Sequence, residues 1–162
     1  MTHARLARWM PFEPQQLFPI VARVEDYRLF LPLCEESRVW GRTIGADCAE
    51  KFQAELTIVY SKLAIRERFT SAVVADPYRL TVRATSNDRP FKQLECNWIL
   101  HPARGGTEIE MLLNYAMASR TLQLFLSGLF DHAMRKVMGA FEARARGLIS
   151  LPQAPSRSLS QQ

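Results

Sequence analysis

Two periods divide the chain. From residue 38 to residue 117 apolar and polar side chains alternate, as in strands with one covered and one wet face. From residue 119 to residue 149 apolar side chains return at steps of three and four, as on one stripe of a helix. Within the first region, residues 38–44, 52–60, 63–74, 78–85, 91–101 and 107–117 read as strands. Phe52, Ala54, Leu56, Ile58 and Tyr60 oppose Gln53, Glu55 and Thr57; Ile109, Met111, Leu113, Tyr115 and Met117 oppose Glu108, Glu110 and Asn114. Gly45-Ala46-Asp47, Ser61-Lys62, Asp76-Pro77, the polar loop 86–90 and residues 102–106 supply the turns. Ahead of them, Ala4, Leu6, Arg8 and Met10 share one face of a first strand that Pro11 ends. Short helices are expected at 13–24, with Leu17, Ile20, Val21 and Val24 inward, and at 25–31, closed by Pro32.

The helix predicted over 119–149 organises the rest. Ser119 can cap it, and its stripe holds Leu122, Leu126, Leu129, Phe130, Ala133, Val137, Phe141 and Leu148. At 1.5 Å per residue it would be about 45 Å long and needs a broad apolar surface to lie on. The order is strand, two helices, six strands and a long helix, which predicts an α+β fold. Short turns between successive strands make the sheet an antiparallel meander, curved around the helix. Residues 1–149 read as one domain and 150–162, rich in Ser, Pro and Gln, as a disordered tail.

A few residues break the pattern. Glu67 is in phase with Ile65 and Phe69 on an apolar strand face. Arg144 falls within about 40° of Phe130 on a helical wheel, inside the stripe. A covered charge needs a partner, so each either packs structurally at an edge or reaches a polar ligand group. Gly128 sits mid-helix, where a ligand or strand approaching closely would give it a use. Phe69, Phe91, Trp98, Tyr115, Met117, Phe125, Phe130 and Met134 are many bulky groups for one interface. A curved sheet diverging from a straight helix would leave an apolar space among them, the general description of a small-lipid pocket.

Composition narrows the chemistry. The 162 residues are 48% hydrophobic and 23% charged, as in ordinary globular chains. No apolar run approaches the roughly 20 residues of a membrane span. Residues 1–10 lack the continuous apolar stretch of a secretory signal and alternate like a strand. Cys34, Cys48 and Cys96 are widely spaced and odd in number, which argues against a disulfide framework or structural zinc and for a reducing compartment. The net charge of +5 favours an anionic surface, RNA or anionic lipid. His3, His101 and His132 lie in separate elements, and none has metal-ligand spacing. No nucleophile elbow, phosphate loop or dinucleotide fingerprint occurs, so catalytic, metal and covalent-cofactor sites are not expected.

The segment Tyr27-Arg28-Leu29-Phe30-Leu31-Pro32-Leu33-Cys34 resembles the YPxFLPWC stretch of the coenzyme Q-binding, START-like family. That family also contains the bacterial ribosome association toxin and belongs to the polyketide cyclase/dehydrase and lipid-transport superfamily. Ala54-Glu55-Leu56 and Arg68-Phe69-Thr70-Ser71 follow in the family's order. Next come Arg89-Pro90-Phe91 with Leu94, Trp98 and Pro102, and finally Phe141-Glu142-Ala143-Arg144-Ala145. The resemblance covers essentially residues 2–149. Arg28, Leu33, Arg89 and Leu100 replace the family's Pro, Trp, Gly and Phe.

The resemblance implies a helix-grip fold, a seven-stranded antiparallel sheet wrapped on the C-terminal helix. It implies non-enzymatic binding of ubiquinone or a similar isoprenoid in support of respiration, and makes Arg144 a family feature. The ligand is expected between Phe69, Leu80, Phe91, Trp98, Leu113 and Tyr115 on the sheet and Leu126, Phe130 and Met134 on the helix. Residues 27–34 are expected to seal the mouth. A basic outer face of Arg66, Arg68, Arg79 and Arg83 would meet anionic membrane during loading. One rival is a toxin-like role using that face on the large ribosomal subunit. The other is a cyclase-type enzyme using Glu67 or Tyr115 for acid–base work. The expected setting is the bacterial cytoplasm, peripheral at the inner membrane, or the mitochondrial matrix in a eukaryote.

Overall fold

A computed structural model describes residues 1–149, apart from the side chains of Phe125 and Leu126. The tail expected at 150–162 lies outside the described residues. The alternating segments form one antiparallel sheet of seven strands in the order β1-β7-β6-β5-β4-β3-β2. The strands are β1 (Thr2–Met10), β2 (Cys34–Ile44), β3 (Glu50–Tyr60), β4 (Ile65–Asp76), β5 (Thr81–Ser86), β6 (Phe91–Ala103) and β7 (Gly106–Met117). Helix α1 (Pro14–Ala22) and a 3₁₀ helix (Val24–Leu29) fill the β1–β2 connection, and helix α2 (Arg120–Leu148) ends the described chain. This is the helix-grip architecture that the resemblance implied.

Period two puts Thr107, Ile109, Met111, Leu113, Tyr115 and Met117 on the inner face of β7, all of them buried. Cross-strand partners share a face. Leu94, Cys96, Trp98 and Leu100 of β6 therefore line the inner face beside Tyr115, Leu113, Met111 and Ile109. Gly105 turns the β6–β7 hairpin at φ +75°, a conformation glycine adopts without steric cost. The 3₁₀ helix is tied to β2 through Ser37, whose Oγ donates to Glu25 O at 2.9 Å and accepts from Arg28 N at 3.1 Å. The Tyr27 hydroxyl donates to Val21 O and links that helix to α1.

Ser119 caps α2, its Oγ accepting from Leu122 N at 3.4 Å. The buried stripe of α2 differs from the expected one. Met134, Met138, Phe141 and Ala145 are its fully covered positions, spaced four, three and four apart. Leu122, Leu129, Phe130, Ala133 and Val137 are half-buried, and Leu148 is 58% exposed. Leu148 thus lies off the stripe. Gly128 is exposed, and a Cβ there would meet nothing within 4 Å, so among the described residues no strand approaches it closely.

Other differences are at element ends. β2 starts at Cys34 rather than at residue 38, and its register with β3 shifts between Cys34 and Glu36. Leu63 belongs to a 3₁₀ turn (Ser61–Leu63), closed by Ala64 at φ +51°. Residues 78–80 precede β5 instead of opening it, because Leu80 takes φ +56°, which no strand tolerates. The second short helix is 3₁₀.

Candidate functional site

The sheet's inner face and α2 enclose the apolar interior, but the helix covers the sheet unevenly. Along its second half Met134, Met138, Phe141 and Ala145 are no more than 4% exposed. Along its first half the residues with described side chains on that stripe, Gln123 and Phe130, are half-buried. The tight half is explained by aromatic packing. The Phe141 ring meets Trp98 at 4.8 Å, Phe30 at 5.2 Å and Tyr27 at 5.4 Å between centroids. The Arg144 guanidinium lies over the Phe30 ring, 5.2 Å from its centroid. Two stretches more than a hundred residues apart thereby lock together, residues 27–34 and 141–145. Cation–π attraction and side-chain burial account for Arg144 without a ligand.

The looser half holds most of the expected contacts. Phe69 of β4 meets Phe91 of β6 edge to face, with centroids 5.1 Å apart. Tyr115 of β7 stacks on Phe130 of α2 at 4.1 Å and 24°. Leu113 is buried next along β7 from Tyr115 on the same face, and Met134, one helical turn beyond Phe130, opens the fully covered half. Trp98 is buried, but among the rings around Phe141. Leu80 is buried in the left-handed turn before β5, its carbonyl accepting from Leu100 N at 3.0 Å. The Leu126 side chain lies outside the described residues. Eight of the nine expected side chains thus sit inside the grip, divided between an aromatic lock and a less covered half.

Polar groups on this inner side are few, and nearly all have partners. Arg8 Nη1 reaches Glu142 Oε2 at 3.1 Å, and Arg146 Nη2 reaches Glu142 Oε1 at 2.9 Å. Arg146, and to a lesser degree Arg8, hold the Glu142 carboxyl below its ordinary pKa against the opposing effect of burial. Gln123 Oε1 accepts from Met117 N at 2.7 Å, and its Nε2 donates to Thr2 Oγ1 at 2.7 Å. Sequence reasoning passed over Gln123, although a glutamine on the stripe with Phe130 is a legible signal. The exception is the Tyr115 hydroxyl, which is buried without a hydrogen-bond partner among the described residues. An orphan of this kind typically costs about 1–3 kcal/mol. Burial pushes the Tyr115 pKa up, and Thr2, its cross-strand neighbour, offsets part of that shift without completing a bond.

Glu67 is half-buried on the inner face at the sheet rim, where β5 pairs with β4 only from Ala72 to Asp76. Burial pushes the Cys34 thiol up to about 11 and the Cys96 thiol up to about 12, the Trp98 indole moderating the latter. Near neutrality both stay protonated and are poor nucleophiles. Among the described residues no group of three His, Cys, Asp or Glu is placed to hold a metal ion.

The outer face is different in kind. A groove of about 600 Å³ runs across it, lined by Gln53, Thr70, Arg83, Asn87, Asp88 and Glu95 among others. The arginines expected to make this face basic are mostly neutralised. Arg66 pairs with Glu35 at 2.6 Å, Arg83 with Glu95 at 3.2 Å and Arg79, in the turn before β5, with Asp76 at 3.8 Å. Arg68 makes no ion pair among the described residues. No described helix is long and apolar enough to cross a membrane.

An antiparallel sheet of seven strands closed on one long helix over an apolar interior defines a protein of the helix-grip fold. Residues 10–142 match the family model described as polyketide cyclase / dehydrase and lipid transport, and the chain belongs to that family. It is 33% identical over 118 residues to the mitochondrial coenzyme Q-binding protein coq10 of Schizosaccharomyces pombe, covering 72% of this chain and 70% of that one. It is 29% identical over 143 residues to the ribosome association toxin RatA of Rickettsia prowazekii, covering 86% of this chain and 93% of the toxin. The solution structure of the 18 kDa protein CC1736 from Caulobacter crescentus superposes with a TM-score of 0.78 at 28% identity, covering 91% of this chain and 98% of that one.

Proposed function

We propose that this protein binds ubiquinone or a similar isoprenoid lipid, without catalysing a reaction on it, between the sheet and the first half of α2. The observation that carries this reading is the uneven grip. Phe69, Phe91, Leu113, Tyr115 and Phe130 gather where the helix is half-covered, while the other half is locked by its own aromatic side chains. The coenzyme Q-binding relative supports a quinone as ligand. Burying an isoprenoid tail supplies affinity at roughly 25 cal/mol per Å² before ordering costs. Delivery of the quinone would serve respiration from the bacterial cytoplasm or, in a eukaryote, the mitochondrial matrix. Peripheral membrane contact through the four outer arginines is the least supported part, because three of them already face carboxylates.

Tryptophan fluorescence tests the reading. Trp9 and Trp40 are 51% and 46% exposed on the outer face, whereas Trp98 is 6% exposed inside. In a Trp9→Phe/Trp40→Phe protein, decylubiquinone is expected to quench Trp98 saturably and at one-to-one stoichiometry. Quenching that never saturates would mean collision with solvent-borne quinone and would remove the site.

The second reading is contact with the large ribosomal subunit, favoured by a toxin relative that this chain covers almost end to end. It predicts co-sedimentation with that subunit, weakening as salt rises. A cyclase-type reaction has less support: among the described residues no acid or base bonds the Tyr115 hydroxyl, and Glu67 lies at the rim opposite Ile58. The fold by itself does not select a chemistry.

A further inference from the structure

Tyr115 is fully buried, yet its hydroxyl finds no partner among the described residues. The surroundings are mostly apolar. Its partner on β6 is Leu94, and the next inner positions on β7 are Leu113 and Met117. Its partner on β1 is Thr2, whose Oγ1 accepts from Gln123 Nε2 and which eases the raised tyrosine pKa without completing a hydrogen bond to it, and Gln123 Oε1 accepts from Met117 N. The ring is held on its other side by the stack with Phe130, so the hydroxyl cannot swing out to solvent.

We propose that the Tyr115 hydroxyl is the polar anchor of the ligand site, donating a hydrogen bond to a carbonyl or alkoxy oxygen of a neutral head group. The inference rests on the lipid-binding reading above and narrows it to a class of ligand. A group that offers only acceptor oxygens matches a lone phenolic donor. A phosphate or carboxylate head group does not, because a buried anion requires a cation. The inward cations are committed, Arg8 to Glu142 and Arg144 to the Phe30 ring. Neutral isoprenoid ketones and quinones are therefore selected over charged lipids. The head lies beside Phe130 and the tail runs along Leu113 and the Phe69–Phe91 pair. Burial also keeps the phenol protonated, and hence a donor, throughout the neutral range.

Tyr115→Phe isolates the hydroxyl, since the ring and its stack remain. Binding of decylubiquinone and of squalene, an isoprenoid hydrocarbon with no oxygen, would be measured for both proteins. The variant is expected to lose about fivefold in affinity for decylubiquinone, the usual worth of one hydrogen bond, and nothing for squalene. Its ligand-free melting temperature is expected to stay level or rise, because an orphaned polar group has been removed. Unchanged decylubiquinone affinity in a folded variant overturns the anchor while leaving the lipid site standing. Failure of the unaltered protein to bind either compound overturns the lipid reading, and the anchor with it. The carbonyl stretch of decylubiquinone bound to the unaltered protein gives an independent reading should the variant not fold. A shift to lower wavenumber is expected, and an unshifted band contradicts the hydrogen bond.

Discussion

Gly106→Ala is expected to destabilise the protein by at least about 3 kcal/mol, although it adds a single methyl group. A Cβ at this position would lie 2.1 Å from Met10 O and 3.1 Å from both Met10 C and Pro11 Cα. All three are backbone atoms, so no side chain can rotate out of the way. The only relief is to part β1 from β7 where β1 leads into Pro11 and α1. Thr107, next to Gly106, would be disturbed as well, since its Oγ1 donates to Phe12 O at 2.6 Å in a fully buried position. The neighbouring glycine is the control. At Gly105 the added Cβ meets only the Trp9 ring at 3.8 Å, and the cost is that of holding alanine at φ +75°, about 1–2 kcal/mol. Urea unfolding of the two variants side by side separates the cases. Equal losses would mean that the close approach of strand β7 to Met10 does not govern stability there.

Phe141→Ala is expected to cost about 3–5 kcal/mol, in the range measured for large aromatic truncations in cores. That is a large share of the roughly 5–15 kcal/mol available to a domain of this size. Phe141 is 2% exposed and touches Tyr27, Phe30 and Trp98 at once. Its loss leaves a cavity between α2, the 3₁₀ helix and β6 that none of them can close alone. Arg144 should suffer indirectly, because the Phe30 ring beneath it loses its support. Phe141→Leu, which keeps most of the volume, is expected to lose less than half as much. The unfolding midpoint of each variant in guanidinium checks both. A loss below about 1.5 kcal/mol for the alanine variant would mean that the aromatic lock is not the keystone of the helix–sheet contact.

The strands were legible wherever one face is apolar and the other polar, as from Thr107 to Met117, since a period of two has no competing explanation. Legibility failed where backbone conformation overrides the pattern. Leu80 keeps the phase of a strand but takes a left-handed turn, and the irregular start of β2 hides three paired residues, Cys34, Glu36 and Ser37, behind Pro32. On α2 the wheel found the correct side but centred it one position off. The bulky leucines at 122, 129 and 148 outweighed Met134 and Met138, which the fold covers more completely.

For the candidate residues, inward placement was legible and the division between aromatic lock and looser half was not. Inward phase identified Phe69, Phe91, Leu113 and Tyr115. Nothing in the sequence says that Trp98 faces Phe141, or that Arg144 rests on Phe30 from across the chain. The basic outer face misled for the same reason. Arg66 meets Glu35 and Arg83 meets Glu95 only through strand pairing, which a residue count cannot anticipate. An unpartnered hydroxyl is likewise a property of three-dimensional surroundings, and so Tyr115 gained its particular interest only in the structure.

The most direct test of lipid binding is native mass spectrometry, with organic extraction, of the protein purified from its own host. The expected result is a bound quinone or other neutral isoprenoid, released by solvent and present at near-stoichiometric yield. An empty protein that instead travels with the large ribosomal subunit would contradict it, and would reduce the apolar interior to packing.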